Sequence, residues 1–277
     1  MSFASARPRV REPTADWRSA PLGTYAPTSG QRAIIVAAQA LARAGVTFRN
    51  RAIRWTQAMR PGPIDAELVG LTLRFCPHLN FRDGAALFAE PVFDARERAF
   101  LVERLPRGGV FLDIGASMGI YTLTVAARRP DVRVIAFEPI ADVADRLSFN
   151  LAANKMTGRV EARALALGDI TGTIAFNREA ESAVIGEGTI SVPCDTLLNV
   201  ARAEGLTRID AIKIDVEGYE DRVLFPFFAE APETLWPRHV IIEHILPDAW
   251  ERNPIDLLAS HHYKTVWRGG FNTIYER

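Results

Sequence analysis

Phe111-Leu112-Asp113-Ile114-Gly115-Ala116-Ser117-Met118-Gly119-Ile120-Tyr121-Thr122-Leu123 is the stretch on which the fold turns. Val110-Phe111-Leu112 reads as a buried strand, and Tyr121–Arg128 as the helix that follows it. Gly115 and Gly119 allow a tight turn and a close approach of backbone to ligand, which a side chain at either point would obstruct. A loop that opens a helix presents free N–H groups and favours a negatively charged ligand group such as a carboxylate. Asp113, at the strand tip, supplies a carboxylate for a ligand cation. Two such poles suit a zwitterionic amino acid. They do not suit a dinucleotide pyrophosphate, because the spacing G-x-x-x-G lacks the middle glycine of the dinucleotide fingerprint and Asp113 would repel it.

Outward from this loop the pattern stays regular. Val132–Phe137 reads as a strand, Val143–Asn154 as a helix with Val143, Leu147 and Leu151 at four-residue steps, and Val160–Leu167 as a third strand. A hairpin-like insertion follows. Ala211–Ile214 and Val240–Ile242 are further short apolar strands, and Tyr263–Trp267 with Thr273–Tyr275 form a terminal hairpin across Arg268-Gly269-Gly270. Strands separated by helices predict an α/β fold: a mostly parallel sheet covered on both faces, with ligands at the carboxyl ends of its strands. Glu138 ends the second strand, 19 residues past Gly119, where this fold places a carboxylate to accept from ribose hydroxyls.

Four segments now stand together: Asp113-Ile114-Gly115-Ala116, Phe137-Glu138-Pro139, Ala166-Leu167-Gly168-Asp169 and Lys213-Ile214-Asp215-Val216-Glu217-Gly218. In combination they resemble the FkbM family of class I methyltransferases, from about residue 90 to the C-terminus. The resemblance implies a Rossmann-like seven-stranded sheet with an antiparallel last strand, and S-adenosylmethionine as methyl donor. It also implies O-methylation of a sugar, glycolipid or secondary metabolite. By that similarity Asp113, Gly115, Ala116, Ser117 and Gly119 line the methionine end, Glu138 and Pro139 the ribose, and Ala166 and Leu167 the adenine. The family's loop commonly has Asn where Ser117 stands.

Lys213, Asp215 and Glu217 alternate along an extended end and should point one way, toward the methyl group. Three ionisable groups at a strand tip require a polar ligand, water or each other. Each is a candidate for positioning the acceptor or removing its proton, the alternative being that Lys213 and Asp215 merely pair in the cleft. His244, just after the strand Val240-Ile241-Ile242, sits at a neighbouring tip and is a further catalytic candidate. Asp215, Glu217 and His244 are also residue types that hold a divalent metal, although none is assigned.

The N-terminal part reads differently. Residues 1–30 form a flexible basic tail, and 31–61 an amphipathic helical segment in which Ile34, Ile35, Ala38, Leu41 and Ala42 repeat at helical spacing. This segment is read as docked on the main domain, with a peripheral membrane or dimer contact as the alternative. Residues 62–277 make the methyltransferase domain, with strands, a turn at Arg82-Asp83-Gly84 and a helix in 62–108 and the core in 109–277. Residues 1–60 hold ten arginines and no lysine against Glu12 and Asp16, although the whole chain is formally neutral.

Neutrality overall, and an acidic main domain, argue against a nucleic-acid partner. The fourth strand lacks the Asn/Asp-Pro-Pro-aromatic loop that holds a flipped base. Cys76 and Cys194 show no metal-ligand spacing, and there is no run of about 18 apolar residues, so a cytoplasmic location is expected. Two other readings share the fold: an NAD-dependent oxidoreductase, and a cofactor-binding scaffold without turnover.

Overall fold

The computed structural model describes residues 17–90, 92–177, 184–185 and 190–277. Residues 1–16 of the expected tail, and the middle of the insertion after Asp169, lie outside the described residues. The chain divides into two compact units, 1–93 and 94–277.

The first unit holds helices α1 (Ser29–Arg43) and α2 (Arg49–Met59), strands β1 (Ile64–Leu68) and β2 (Leu71–Phe75), and helix α3 (Phe81–Ala89). Thr28 and Gln31 form a reciprocal capping box that starts α1. The periodic run from Gln31 to Met59 is therefore two helices, broken where Gly45 takes φ +75°. β1 and β2 pair antiparallel around Val69-Gly70, both at positive φ, as a two-residue hairpin turn requires. Arg82-Asp83-Gly84, expected as a turn, instead opens α3. Asn80 caps that helix by accepting from Arg82 N, and the buried Asp83 accepts from Cys76 N at 2.6 Å. Arg74 and Asp65 form a buried ion pair at 2.7 Å.

The second unit runs α4 (Ala95–Arg104), β3 (Val110–Ile114), α5 (Ile120–Arg128), β4 (Arg133–Phe137), α6 (Ala141–Ala153) and β5 (Val160–Arg163). Next come β6 (Ala166–Gly168), β7 (Gly172–Asn177), β8 (Val184–Ile185), β9 (Ile190–Thr196) and α7 (Leu197–Ala203). It ends with β10 (Ala211–Ile214), α8 (Glu220–Glu230), β11 (His239–Glu243), α9 (Pro254–Ser260), β12 (Lys264–Arg268) and β13 (Asn272–Glu276). Seven strands form one sheet in the order β12-β13-β11-β10-β3-β4-β5, parallel from β11 to β5, with β13 antiparallel to both its neighbours. Apart from Asp113 in β3 and Lys213 in β10, the central strands are largely apolar, as burial on both faces demands.

The strand expected over 160–167 is divided. β5 stays in the large sheet, while β6 pairs with β9 in a separate four-stranded sheet ordered β6-β9-β7-β8. β3 lies between β4 and β10, so chain progress reverses direction at β3. In such sheets the crevice at that reversal, outside the carboxyl ends, is where ligands sit.

Candidate active site

The loop after β3 is held from several sides. Gly115 and Ala116 both donate their N–H to Phe137 O, at 3.0 and 2.9 Å, and Gly119 N–H donates to Ala116 O. Ser117, in the left-handed region at φ +51°, donates its N–H to Glu138 Oε2 at 2.9 Å. These four amides, read from the sequence as donors to a ligand, are thus engaged inside the protein. The carbonyl at the end of β4 is a nonlocal partner that periodicity does not reveal.

The glycines answer to packing. A Cβ on Gly115 would fall 1.9 Å from Asp215 O, and one on Gly119 would fall 2.4 Å from Leu147 Cδ1 on α6. Both sit at positive φ. Close approach explains them, but the near neighbours are protein atoms.

Asp113 is fully buried. Its Oδ2 accepts from Thr122 N at 3.0 Å and Thr122 Oγ1 at 2.5 Å, which ties the first turn of α5 to the end of β3. Its Oδ1 has no hydrogen-bond partner among the described residues, and the cation it meets is Lys213, whose Nζ is 3.8 Å away. Burial pushes the Asp113 carboxyl up from its ordinary range, opposed by Lys213 and by the Thr122 hydrogen bonds. Lys213 also donates to Gly115 O at 2.9 Å and pairs with Asp215 Oδ2 at 3.2 Å. One buried ammonium thereby joins the ends of β3 and β10.

Glu138 stands beyond the end of β4 and is 7% exposed. Each carboxylate oxygen accepts one backbone N–H, from Ser117 and from Ile140 (3.1 Å), leaving acceptor capacity on both. Burial raises its carboxyl to about 7, against the lowering effect of those two donors, Arg146 and Lys213. Pro139 follows it, half-buried. Ala166 and Leu167 are buried at 4% and 2%, and Ala166 packs in a cluster with Ile140, two residues past Glu138.

Past β10 the chain bends through Asp215-Val216-Glu217-Gly218. Glu217 is left-handed at φ +56°, and Gly218 at +91° packs so closely that an added Cβ would lie 2.6 Å from Ala249 Cβ. Carboxylate atoms of Asp215, Glu217 and Glu243 lie within 4.8 Å of one another. Asp215 and Glu217 are brought together as the sequence suggested; Glu243, the last residue of β11, was passed over. His244 does not join this group. Its N–H donates to Phe271 O, and its Nε2 has no hydrogen-bond partner among the described residues. Strand parity accounts for the difference: Lys213 pairs in register with Ile241, so Asp215 and Glu243 share a face and the next residue turns away. The three carboxylates are oxygen donors of the kind that hold a hard divalent cation.

Glu220 was also missed. It is 1% exposed, accepts from Val216 N at 2.9 Å and Gly218 N at 3.4 Å, and takes Trp250 Nε1 at 2.6 Å. Burial raises its carboxyl. An acid in the first turn of a helix that follows a glycine loop is a capping signal, and it was legible as such.

A family model described as the methyltransferase FkbM domain matches residues 113–264, more than half of the chain and all of the site just described. The chain belongs to the FkbM methyltransferase family. Residues just past the 213–218 segment reach the end of the 166–169 segment: the Tyr219 hydroxyl donates to Asp169 at 3.2 Å, and Arg222 pairs with Asp169 at 2.9 Å. The chain is similar to methyltransferase sdnD of Sordaria araneosa, 26% identical over 196 residues, covering 57% of this chain and 73% of that protein. A 65-residue stretch is 42% identical to AMB antimetabolite synthetase AmbE of Pseudomonas aeruginosa, covering 24% of this chain and 3% of that protein. Among solved structures, a precorrin-6y C5,15-methyltransferase from Geobacter metallireducens is similar at 14% identity and TM-score 0.42, over 67% of this chain and 88% of that one. That last likeness carries nothing further about this FkbM methyltransferase.

Proposed function

We propose that this methyltransferase uses S-adenosylmethionine to methylate a hydroxyl of a sugar, glycolipid or secondary metabolite. The observation that carries the cofactor reading is Glu138, a nearly buried carboxylate beside the fold's reversal point, with acceptor capacity left on both oxygens. Ribose hydroxyls supply the donors it lacks. Ser117 Oγ and Asp113 Oδ1, buried without hydrogen-bond partners among the described residues, fit a polar ligand at the methionine end. Of the first-turn donors of α5, Thr122 N–H is taken by Asp113, whereas Ile120 and Tyr121 N–H find no acceptor among the described residues and suit a carboxylate.

The cofactor, when bound, supplies an activated methyl carbon. The chain's own residues then have to orient the acceptor oxygen and exclude water. On this reading Asp215, Glu217 and Glu243, whose carboxylates cluster within 4.8 Å, accept hydrogen bonds from the acceptor hydroxyls, and one of them takes the proton as the new bond forms. Lys213 positions Asp215 from behind.

Titration calorimetry with S-adenosylmethionine and with NAD tests the cofactor, and single-turnover transfer of labelled methyl to a panel of hydroxyl acceptors tests the reaction. Binding of NAD in place of the sulfonium donor would sink the reading. Donor binding without transfer to any hydroxyl would leave only a scaffold.

A further inference from the structure

We infer that α1 and α2 dock the protein on an anionic lipid bilayer surface. Residues 29–60 contain six arginines and no acidic residue. Ile35 and Ala38 turn into the first unit, which leaves the opposite side of α1 to solvent: Ala33, Val36, Ala37 and Ala40. Val36 is 63% exposed, and on α2 Trp55 and Met59 are 51% and 56% exposed. These are large values for apolar side chains on one small unit.

The two apolar faces adjoin. A Cβ on Gly30 would stand 3.0 Å from Met59 Sδ, and Gln31 Nε2 donates to Thr56 O at 3.0 Å, so the end of α2 lies against the start of α1. Trp55 and Met59 follow one another by a helical turn. On α1, at about 100° per residue, Ala33 and Ala37 lie toward Gly30 and its contact with α2, whereas Arg32 and Arg43 lie on the far edge. On α2, Arg51 and Arg54 stand outward of Trp55. An apolar strip is thus bordered by arginine on both sides. All four of these arginines are exposed, and none pairs with a carboxylate among the described residues.

Charge decides the occupant. A second copy packed symmetrically on this face would set arginine against arginine with no acid to relieve it. A nucleic acid would answer the arginines but leave the Val36–Trp55–Met59 strip uncovered. A bilayer with anionic headgroups answers both: the indole and short apolar side chains enter the headgroup boundary, and the guanidinium groups reach phosphate. No helix among the described residues is long and apolar enough to cross a membrane, so the contact is with the surface.

The full chain is sedimented with phosphatidylcholine vesicles and with vesicles that also contain phosphatidylglycerol, beside the variants R43E/R54E and V36S/W55S. All four substituted residues are exposed, so unchanged melting temperatures serve as the control for folding. The protein should pellet with the anionic vesicles only, and be released when salt rises from about 0.1 M to about 1 M, where screening shortens to about 3 Å. Each variant should weaken binding by roughly tenfold or more. Wild-type protein left in the supernatant with anionic vesicles overturns the inference. So do variants that bind as tightly as wild type, or a dimer by light scattering that the variants dissolve while vesicles stay bare.

Discussion

Gly115 and Asp215 meet backbone to backbone: an added Cβ on the glycine would sit 1.9 Å from the aspartate's carbonyl oxygen. This contact brings the loop after β3 against the loop after β10, so the glycine loop and the acids beyond β10 share one joint. A carbonyl on a strand end cannot swing aside as a flexible side chain can. Gly115→Ala should therefore cost well over the roughly 1 kcal/mol of a left-handed non-glycine residue alone. Gly108→Ala, also at positive φ (+64°) but with no atom within 4 Å of its Cβ, isolates that smaller cost. Urea denaturation of the two variants measures the difference, and equal losses would contradict the contact.

If Glu138 holds the ribose of the donor, cofactor affinity depends on pH. Its carboxyl is raised to about 7 by burial, and only the ionised form accepts from two ribose hydroxyls at once. Donor binding should strengthen as pH rises, with Kd at pH 6 roughly tenfold weaker than at pH 8. The free protein runs the other way: a folded-state value above the ordinary 4.5 means stability is lost as pH climbs from about 4.5 to about 7. Glu138→Gln should flatten both trends, as read by calorimetry and by melting at each pH.

Apolar runs spaced by helices carried the mostly parallel sheet, and the central strands end at polar tips: Asp113 in β3, Glu138 after β4, Asp215 after β10. The count of seven strands and the antiparallel last strand followed from the family resemblance. Nonlocal partners did not show in the sequence. Nothing in the glycine loop announces that Phe137 O takes two of its amides, or that Lys213 fills the space beside Asp113. Parity at the end of β11 was readable, since Glu243 lies two residues past Ile241, but it needs the register Lys213–Ile241 to mean anything. Ser117 is informative in the same way. Its left-handed φ of +51° is a conformation in which Asn is enriched, in keeping with the Asn that the family resemblance leads one to expect there.

Lys213 holds two buried carboxylates apart in charge. Lys213→Met keeps the bulk and removes the cation, leaving Asp113 and Asp215 facing each other at the strand ends. The expected loss is about 3–5 kcal/mol at neutral pH. Asp113, already raised by burial, loses its main lowering partner, so the variant should regain stability on acidification as protons take the place of the ammonium. Adding Asp113→Asn should recover part of the loss, and a double-mutant cycle in urea at pH 5 and pH 8 reads that coupling.

Glu243 and His244 are adjacent in sequence and opposite in expected effect. Glu243 is 2% exposed and its carboxylate lies within 4.8 Å of those of Asp215 and Glu217, whereas His244 is outside that group. If acceptor hydroxyls are oriented and deprotonated there, Glu243→Gln should lower kcat by roughly 10²–10⁴-fold, the range of a lost general base, with donor Kd unchanged. His244→Ala should change kcat by only a few fold, because the imidazole lies outside the carboxylate group. Single-turnover methyl transfer by both variants, with donor affinity measured alongside, separates the two positions; a large loss confined to the histidine variant would move the base from the carboxylates to the imidazole.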